Sequence, residues 1–216
     1  MKQWLKYFDN NELSKVLDIL TSEYEDKNIE PKQKDVFKAF KLCPLENLKV
    51  IVLGQDPYPQ KGVATGLAFA NNKAVDESLS PSLLVLSQAL LDNAEKYELH
   101  YVNPNLEYLA KQGILLLNTS LTVELGKPGS HTLLWRNFMK SFLYNLSNYN
   151  PGLIYICLGK QAQSFIPYIN STFNYILCEQ HPAYYARIDT NMPNTVFEET
   201  NRILHNTNNT IINWYE

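Results

Sequence analysis

The chain has 216 residues, 45% hydrophobic and 19% charged, with 19 Lys and Arg against 22 Asp and Glu for a formal net charge of −3. That profile belongs to a globular domain and excludes disordered, collagenous and charged coiled-coil chains. It also lacks the basic excess of a bulk nucleic-acid binder, so any affinity for DNA would rest on a local groove, with modest non-specific binding. No apolar run approaches the ~20 residues needed to span a bilayer. The opening MKQWLKYFDNNE carries no export signal, so a cytoplasmic protein with no membrane partner is expected. Cys43, Cys157 and Cys178, widely spaced and odd in number, fit neither a disulfide framework nor a zinc ribbon and read as buried hydrophobes.

No repeat, linker or composition shift marks a boundary, and residues 1–216 read as a single domain. Leu13, Val16, Leu17 and Leu20 recur at the spacing of one buried helix face, with Asn10 or Asn11 as the cap. LKVIVLG (48–54) is the first of four short apolar runs. Ser80 at an N-cap and Pro81 at the first helical position open a helix over SPSLLVLSQALLDNAEKY (80–97). GILLLN (113–118) is the second run, followed by a helix over 135–149. GLIYICLG (152–159) is the third, then a helix over 160–169, then NYILCEQ (174–180). Each run has strand length and little polar alternation, as strands buried on both faces do. The alternation of strand and helix implies an α/β fold: a central four-stranded parallel sheet flanked by helices in three α/β/α layers.

The unusual polar residues fall where these strands end. The first run leads into Gly54-Gln55-Asp56-Pro57-Tyr58, the second ends in Asn118, the third in Gly159-Lys160 and the fourth in Gln180-His181-Pro182. In an open parallel sheet the carboxyl edge is the ligand crevice, so four distant segments build one site. A phosphate loop, a dinucleotide fingerprint, a zinc deaminase signature and a serine-hydrolase elbow are all missing. What remains suits a hydrolysis without metal or cofactor. A carboxylate (Asp56) can position water or stabilise a cation, and an imidazole (His181) can stabilise a developing anion. An amide (Asn118) can read a heterocycle's edge while Phe69 stacks on its face. That set points to cleavage of a base–sugar bond.

Taken singly, each residue also has a plain structural reading. Asp56-Pro57 is an ordinary turn, Asn118 a loop starter, His181 a satisfied structural His and Phe69 a core residue. His100 and His205 read as surface residues, and His131 as a loop-orienting residue without chemistry. The joint pattern carries the functional reading.

The same residues carry a resemblance. Gly54-Gln55-Asp56-Pro57-Tyr58 with Gly66-Leu67-Ala68-Phe69, Leu115-Leu116-Leu117-Asn118 with Leu121-Thr122-Val123, Ser130-His131, Trp135 and His181-Pro182 stand in the order and spacing of the family-1 uracil-DNA glycosylases. The chain resembles that family over nearly its full length. The resemblance implies a monofunctional repair glycosylase that flips deoxyuridine out of DNA, releases free uracil and leaves an abasic site. It implies that Asp56 orients the attacking water and stabilises the sugar cation, and that His181 donates to uracil O2. Asn118 would read the N3 and O4 edge, Phe69 would stack, and Tyr58 would crowd C5 to exclude thymine. Gln55 would contribute its backbone N–H. Ser82, Gly159, Lys160, Pro182, Ala183 and Tyr185 would contact DNA. The implied partners are uracil-containing DNA, single- or double-stranded, and a protein inhibitor that mimics DNA; the implied state is a monomer without cofactor. The chain departs from the pattern at Pro59, where a His is common, at IDTNMP (188–193), which replaces an Arg-Gly-Phe-Phe-Gly-like stretch, and in the segment after His181. The family's His-Pro run usually continues Ser-Pro-Leu-Ser, its Leu acting as a wedge, whereas here it continues Ala183-Tyr184-Tyr185-Ala186-Arg187. Tyr185 stands at the wedge position, with Arg187 the other candidate for that role.

Overall fold

The structure, a computed structural model, describes residues 1–26, 28–72, 79–92 and 100–216. Its strands are β1 (Ile29–Glu30), β2 (Val50–Gly54), β3 (Ile114–Asn118), β4 (Val123–Glu124), β5 (Ile154–Leu158) and β6 (Tyr175–Glu179). The helices of the described residues are α1 (Asn10–Asp26), α2 (Lys38–Leu42), α3 (Pro81–Leu91), α4 (Glu107–Lys111), α5 (Thr132–Tyr149), α6 (Lys160–Gln163), α7 (Pro182–Arg187) and α8 (Thr195–Asn208). The four expected strands form one parallel sheet in the order β3-β2-β5-β6, flanked by helices. Every residue of β2, β3 and β5 is buried, as the unbroken apolar runs require. The expectation fails for β6, where Tyr175 and Cys178 are exposed. Both outer strands pair on one side only, but α2 and α4 pack against β3 and the Ala68 N–H donates to its Leu116 carbonyl, whereas part of the surface of β6 is left to solvent. Cys178 is accordingly not a buried hydrophobe, although Cys43 and Cys157 are.

Packing around the first segments explains why the N-terminal helix forms. Phe8 meets Phe40 and Phe138 edge-on with ring centroids 5.1 and 5.2 Å apart, and Phe40 meets Phe142 at 5.3 Å. These aromatic contacts join the N-terminal segment and α2 to α5, beyond what area burial alone would give. Val16 and Leu20 of α1 are buried, Leu13 is half-buried, and Leu17 is exposed. The buried stripe is therefore narrower than the spacing implied. The cap is Asp9 rather than Asn10 or Asn11: its Oδ1 accepts from the N–H groups of Asn11 (3.0 Å) and Glu12 (3.1 Å). Ser80 does stand at the N-cap of α3 with Pro81 next, but its hydroxyl makes no cap bond. Residues 93–97 of that expected helix lie outside the described residues. The helix expected over 160–169 breaks after Gln163 and resumes as a 3-10 turn at Ile166–Tyr168, where Pro167 cannot donate to an α ladder.

Two features have no counterpart in the sequence reading. β1 and β4 form an antiparallel ribbon, pairing Ile29 with Glu124 and Glu30 with Val123; two-residue strands carry no periodicity. The C-terminal segment folds back, with Tyr108 Oη donating to the Trp214 carbonyl (2.6 Å) and the His100 ring 4.3 Å from that of Tyr215. Among the described residues no helix is long and apolar enough to cross a membrane. Replacing Asp9 with Ala is expected to lower unfolding free energy by about 1 kcal/mol in urea titration, the usual cost of losing an N-cap. Asn10→Ala and Asn11→Ala should each stay within about 0.5 kcal/mol.

Candidate active site

The carboxyl ends of β2, β3 and β6 converge on a cavity of about 460 Å³. Gln55, Asp56 and Tyr58 enter it from the loop after β2, Phe69 from the following loop, Ser82 from the first turn of α3, Asn118 from the end of β3, and His181 and Ala183 from the entry to α7. Eight residues singled out from sequence thus line one space. Gly159 and Lys160 instead line an adjoining cavity of about 380 Å³, which shares Gln55, His181 and Arg187 with the first. Pro182 is buried, and Tyr185 lies outside the lining of both.

Glycine at the end of β2 makes the cavity possible. In the parallel register Gly54 lies opposite Asn118. A Cβ on Gly54 would fall 2.5 Å from Asn118 Oδ1 and 3.1 Å from Phe69 Cζ, so a side chain there would displace both groups. No hydrogen bond to the described residues occupies the Asn118 amide, which is almost fully buried at the cavity wall. Its polar atoms open onto the cavity, where they are available to the edge of a planar heterocycle. Phe69 has φ +65°, an uncommon left-handed conformation for a residue with a side chain. Tyr58 holds it there by donating from Oη to the Phe69 carbonyl at 3.0 Å. Burial pushes the Tyr58 hydroxyl up to about 12, so it remains a donor and its ring is pinned across the cavity.

Asp56 and His181, both half-buried, respond to burial in opposite directions. Burial raises the Asp56 carboxyl above its ordinary value, while the Gly129 N–H, donating to Oδ2 at 2.5 Å, favours the ionised form. Burial, aided by the Arg187 charge, lowers His181 to about 4, so its imidazole is neutral at pH 7. His181 caps α7, and its Nδ1 accepts from the Ala183 N–H at 3.1 Å. An accepting Nδ1 places the single proton of the neutral ring on Nε2, which is therefore a donor. The Phe69 and His181 rings lie 5.5 Å apart. Gly159 has a part that its sequence context did not reveal: a Cβ there would come within 2.7 Å of His181 Cβ, so its bareness admits the imidazole.

On α7, Tyr185 Oη donates to Glu179 Oε1 at 2.6 Å, and the ring is half-buried. Its neighbour Tyr184 is exposed, and Arg187 donates from Nε to the Ala183 carbonyl (3.2 Å) while lining both cavities. Sequence reasoning missed Glu179 and Gly129. Glu179 ends a strand like many acidic residues, and Gly129 acts through its backbone, with only the Pro128-Gly129 turn to mark it.

A profile of the Uracil DNA glycosylase superfamily matches residues 40–205. The chain belongs to that family. It is 37% identical over 194 residues to Uracil-DNA glycosylase 1 of Listeria innocua, covering 88% of this chain and 85% of the relative. It is 32% identical over 218 residues to the uracil-DNA glycosylase of Azobacteroides pseudotrichonymphae, covering 99% and 97%. The fold matches the crystal structure of mimivirus uracil-DNA glycosylase with a TM-score of 0.80 at 22% identity, covering 92% of this chain and 79% of that one. A second mimivirus structure, of UNG Y322F, was solved in complex with UGI. The chain is thus a DNA-repair glycosidase that hydrolyses N-glycosyl bonds and removes uracil from DNA. Gly54→Ala should keep the fold, because the first atom it meets is the tip of the Asn118 side chain, yet lower kcat/KM for uracil release by roughly 100-fold by moving the amide.

Proposed function

We propose that the cavity receives a uracil flipped out of DNA and that Asp56 and His181 act on opposite poles of the breaking bond. The observation that carries this reading is the joint lining of one cavity by Asp56, Phe69, Asn118 and a neutral His181. Uracil stacks on Phe69. Its N3–H donates to the Asn118 carbonyl oxygen and its O4 accepts from the Asn118 amide N–H. Cytosine presents the reverse pattern on that edge and would leave the buried amide unpaired, a mismatch that can reject a ligand by about 10⁴-fold. The Tyr58 ring, pinned by its bond to Phe69, faces C5 and excludes the thymine methyl group. The Gln55 backbone N–H completes the pocket.

As the C1′–N1 bond breaks, its electron pair passes to the base and the sugar becomes cationic. The Asp56 carboxylate stabilises that cation and orients the water whose oxygen bonds C1′; it takes up the proton the water loses, and an equivalent proton from solvent neutralises the departing uracil anion. His181 Nε2–H donates to uracil O2 as negative charge gathers there. A neutral donor stabilises the anion without giving up its proton, and it stands in place before the reaction begins. The products are free uracil and an abasic site, without a metal or other cofactor.

Ser82, Gly159, Lys160, Pro182, Ala183 and Tyr185 grip the DNA around this cavity, with Lys160 and Arg187 supplying positive charge beside it. Uracil-containing single strands and duplexes are both substrates, with Tyr185 at the wedge position in the duplex. A protein that mimics DNA would compete for the same groove. Residues 1–216 act as one domain and as a monomer in the cytoplasm, and no residue of a second copy is needed to complete the cavity.

Uracil release from matched single-stranded and duplex oligonucleotides, in EDTA, tests the assignment. Asp56→Asn and His181→Leu should each lower kcat by at least about 100-fold while DNA binding persists. Wild-type rates in both variants would overturn it. Tyr58→Ala is expected to release thymine from ordinary DNA, which the native protein should leave untouched; continued exclusion of thymine would refute the steric account of specificity.

A further inference from the structure

Behind the cavity lies a buried polar chain that the proposed reaction does not use. Trp135 Nε1–H donates to Thr122 Oγ1 at 2.7 Å, Thr122 Oγ1 lies 2.8 Å from His131 Nδ1, and His131 Nε2 lies 3.1 Å from Glu23 Oε2. Trp135, Thr122 and His131 are all buried. The indole can only donate, so the Thr122 hydroxyl proton is available to Nδ1, which leaves the proton of a neutral ring on Nε2, the nitrogen nearer the Glu23 carboxylate. The chain therefore ties α5, the segment after β3 and α1 to a single imidazole. Two residues before that imidazole stands Gly129, whose N–H meets Asp56.

The turn that carries Gly129 is braced at its base, where the Lys127 N–H donates to the Glu124 carbonyl (2.9 Å), the Ser130 N–H to the Lys127 carbonyl (3.2 Å) and the Glu124 N–H to Ser130 Oγ (2.8 Å), but its tip is open. Gly126, Lys127 and Pro128 are exposed, Gly126 and Gly129 both have positive φ, and no atom lies within 4 Å of where a Gly126 Cβ would be. One flank of the turn is fixed by the Gly126 N–H donating to the Pro59 carbonyl at 2.8 Å. The other flank closes on the buried residue, through Thr132 N–H to the Gly129 carbonyl (3.1 Å) and Trp135 N–H to the His131 carbonyl (3.1 Å). We infer that His131, held by Thr122 and Glu23, is a positioning residue that fixes the Gly129 N–H against Asp56 and so sets the orientation of the water-directing carboxylate. This rests on the reading of Asp56 given above. His131 touches neither DNA nor the reacting atoms; it acts through three residues of backbone.

Thr122→Val removes the hydroxyl at nearly constant shape, His131→Leu removes the hub, and Thr122→Ser restores the hydroxyl. For uracil release from a single-stranded oligonucleotide, the first two should lose roughly 10- to 100-fold in kcat, as misplacement of a reacting group does. KM should stay within about twofold, since substrate contacts are untouched. Thr122→Ser should match the native rate. The acid limb of kcat should move to higher pH in Thr122→Val and His131→Leu, because the N–H that favours ionised Asp56 is lost. Asp56, His181, Tyr58 and Arg187 all line the cavity, and His181 also titrates in the acid range. The amide proton resonance of Gly129 separates them: in the native protein it should follow the ionisation of Asp56, and in Thr122→Val it should shift upfield and cease to follow it. A native kcat in Thr122→Val, or a loss of rate with the Gly129 resonance unmoved, would overturn the inference. Should His131→Leu fail to fold, Thr122→Val and that resonance decide the matter. Asp56→Asn in the same assay keeps the two readings apart: activity in that variant removes the role of Asp56, whereas an inactive Asp56→Asn beside a fully active Thr122→Val removes only the role of His131.

Discussion

The site depends on two places where a strand ends in a residue without a side chain. Parallel strands rise together, so residues in register stand side by side. At the end of β2 the register sets Gly54 against Asn118, and the space a Cβ would take is used by the Asn118 amide and the Phe69 ring. Just beyond β5, Gly159 likewise leaves room for His181, which follows the neighbouring strand β6. The Asn118 amide, the Phe69 ring and the His181 imidazole are brought close because backbone, and not side chain, separates them. The Asp56 loop leaves the sheet directly from the first of these glycines, and the main chain stays knitted beyond it: Thr119 N–H donates to the Gly54 carbonyl and Ser120 N–H to that of Gln55. The carboxylate is thereby carried on a rigid continuation of the sheet.

Partial burial at the sheet edge sets the electrostatics. The same burial that would neutralise Asp56 also neutralises His181, but only one of these effects suits the chemistry. The Gly129 N–H opposes the first by favouring the carboxylate, and in the proposed reaction that negative charge would face the developing sugar cation. The second is left to stand: the Ala183 N–H fixes the His181 tautomer and Arg187 lies near enough to add to the shift. Two groups with opposite tasks are thus tuned by one environment and two backbone N–H groups, which need no reorganisation when charge appears.

The fold was legible where the core imposes a pattern. The four apolar runs are buried strands or, at the edge, a half-buried one, and their carboxyl ends identified the crevice because α/β topology places ligands there. Legibility failed where a residue acts through its backbone or through burial not encoded in its own type. Gly129 looks like any turn glycine, and His131 was legible as a loop-orienting residue but its partners were not, because Thr122 and Glu23 meet it only in the fold. Leu17 has helical spacing but faces solvent, since α1 packs on α5 along a narrow stripe. Asp9 outcompetes Asn10 and Asn11 as a cap because its carboxylate meets two free N–H groups at once, which composition cannot rank.

The segment after His181 shows how a change of side chain draws in a new partner. A leucine at the wedge position has no polar group to satisfy, whereas Tyr185 carries a hydroxyl into half-buried surroundings. Glu179 supplies the acceptor, and the same carboxylate oxygen receives the Gln180 N–H at 2.6 Å. The Glu179 carbonyl in turn accepts from the Gly159 N–H (2.8 Å) and Gln163 Nε2 (2.9 Å). One residue therefore joins the tyrosine, the entry to His181 and the glycine turn beside it. A hydrogen bond to a charged group contributes about 1.5–3 kcal/mol, comparable with the few kcal/mol needed to extrude a base. Moving the Tyr185 ring into a duplex would have to offset that bond as well as the unstacking. A single strand would ask for neither, so if Tyr185 is the wedge, the cost of leaving Glu179 falls on duplex DNA alone.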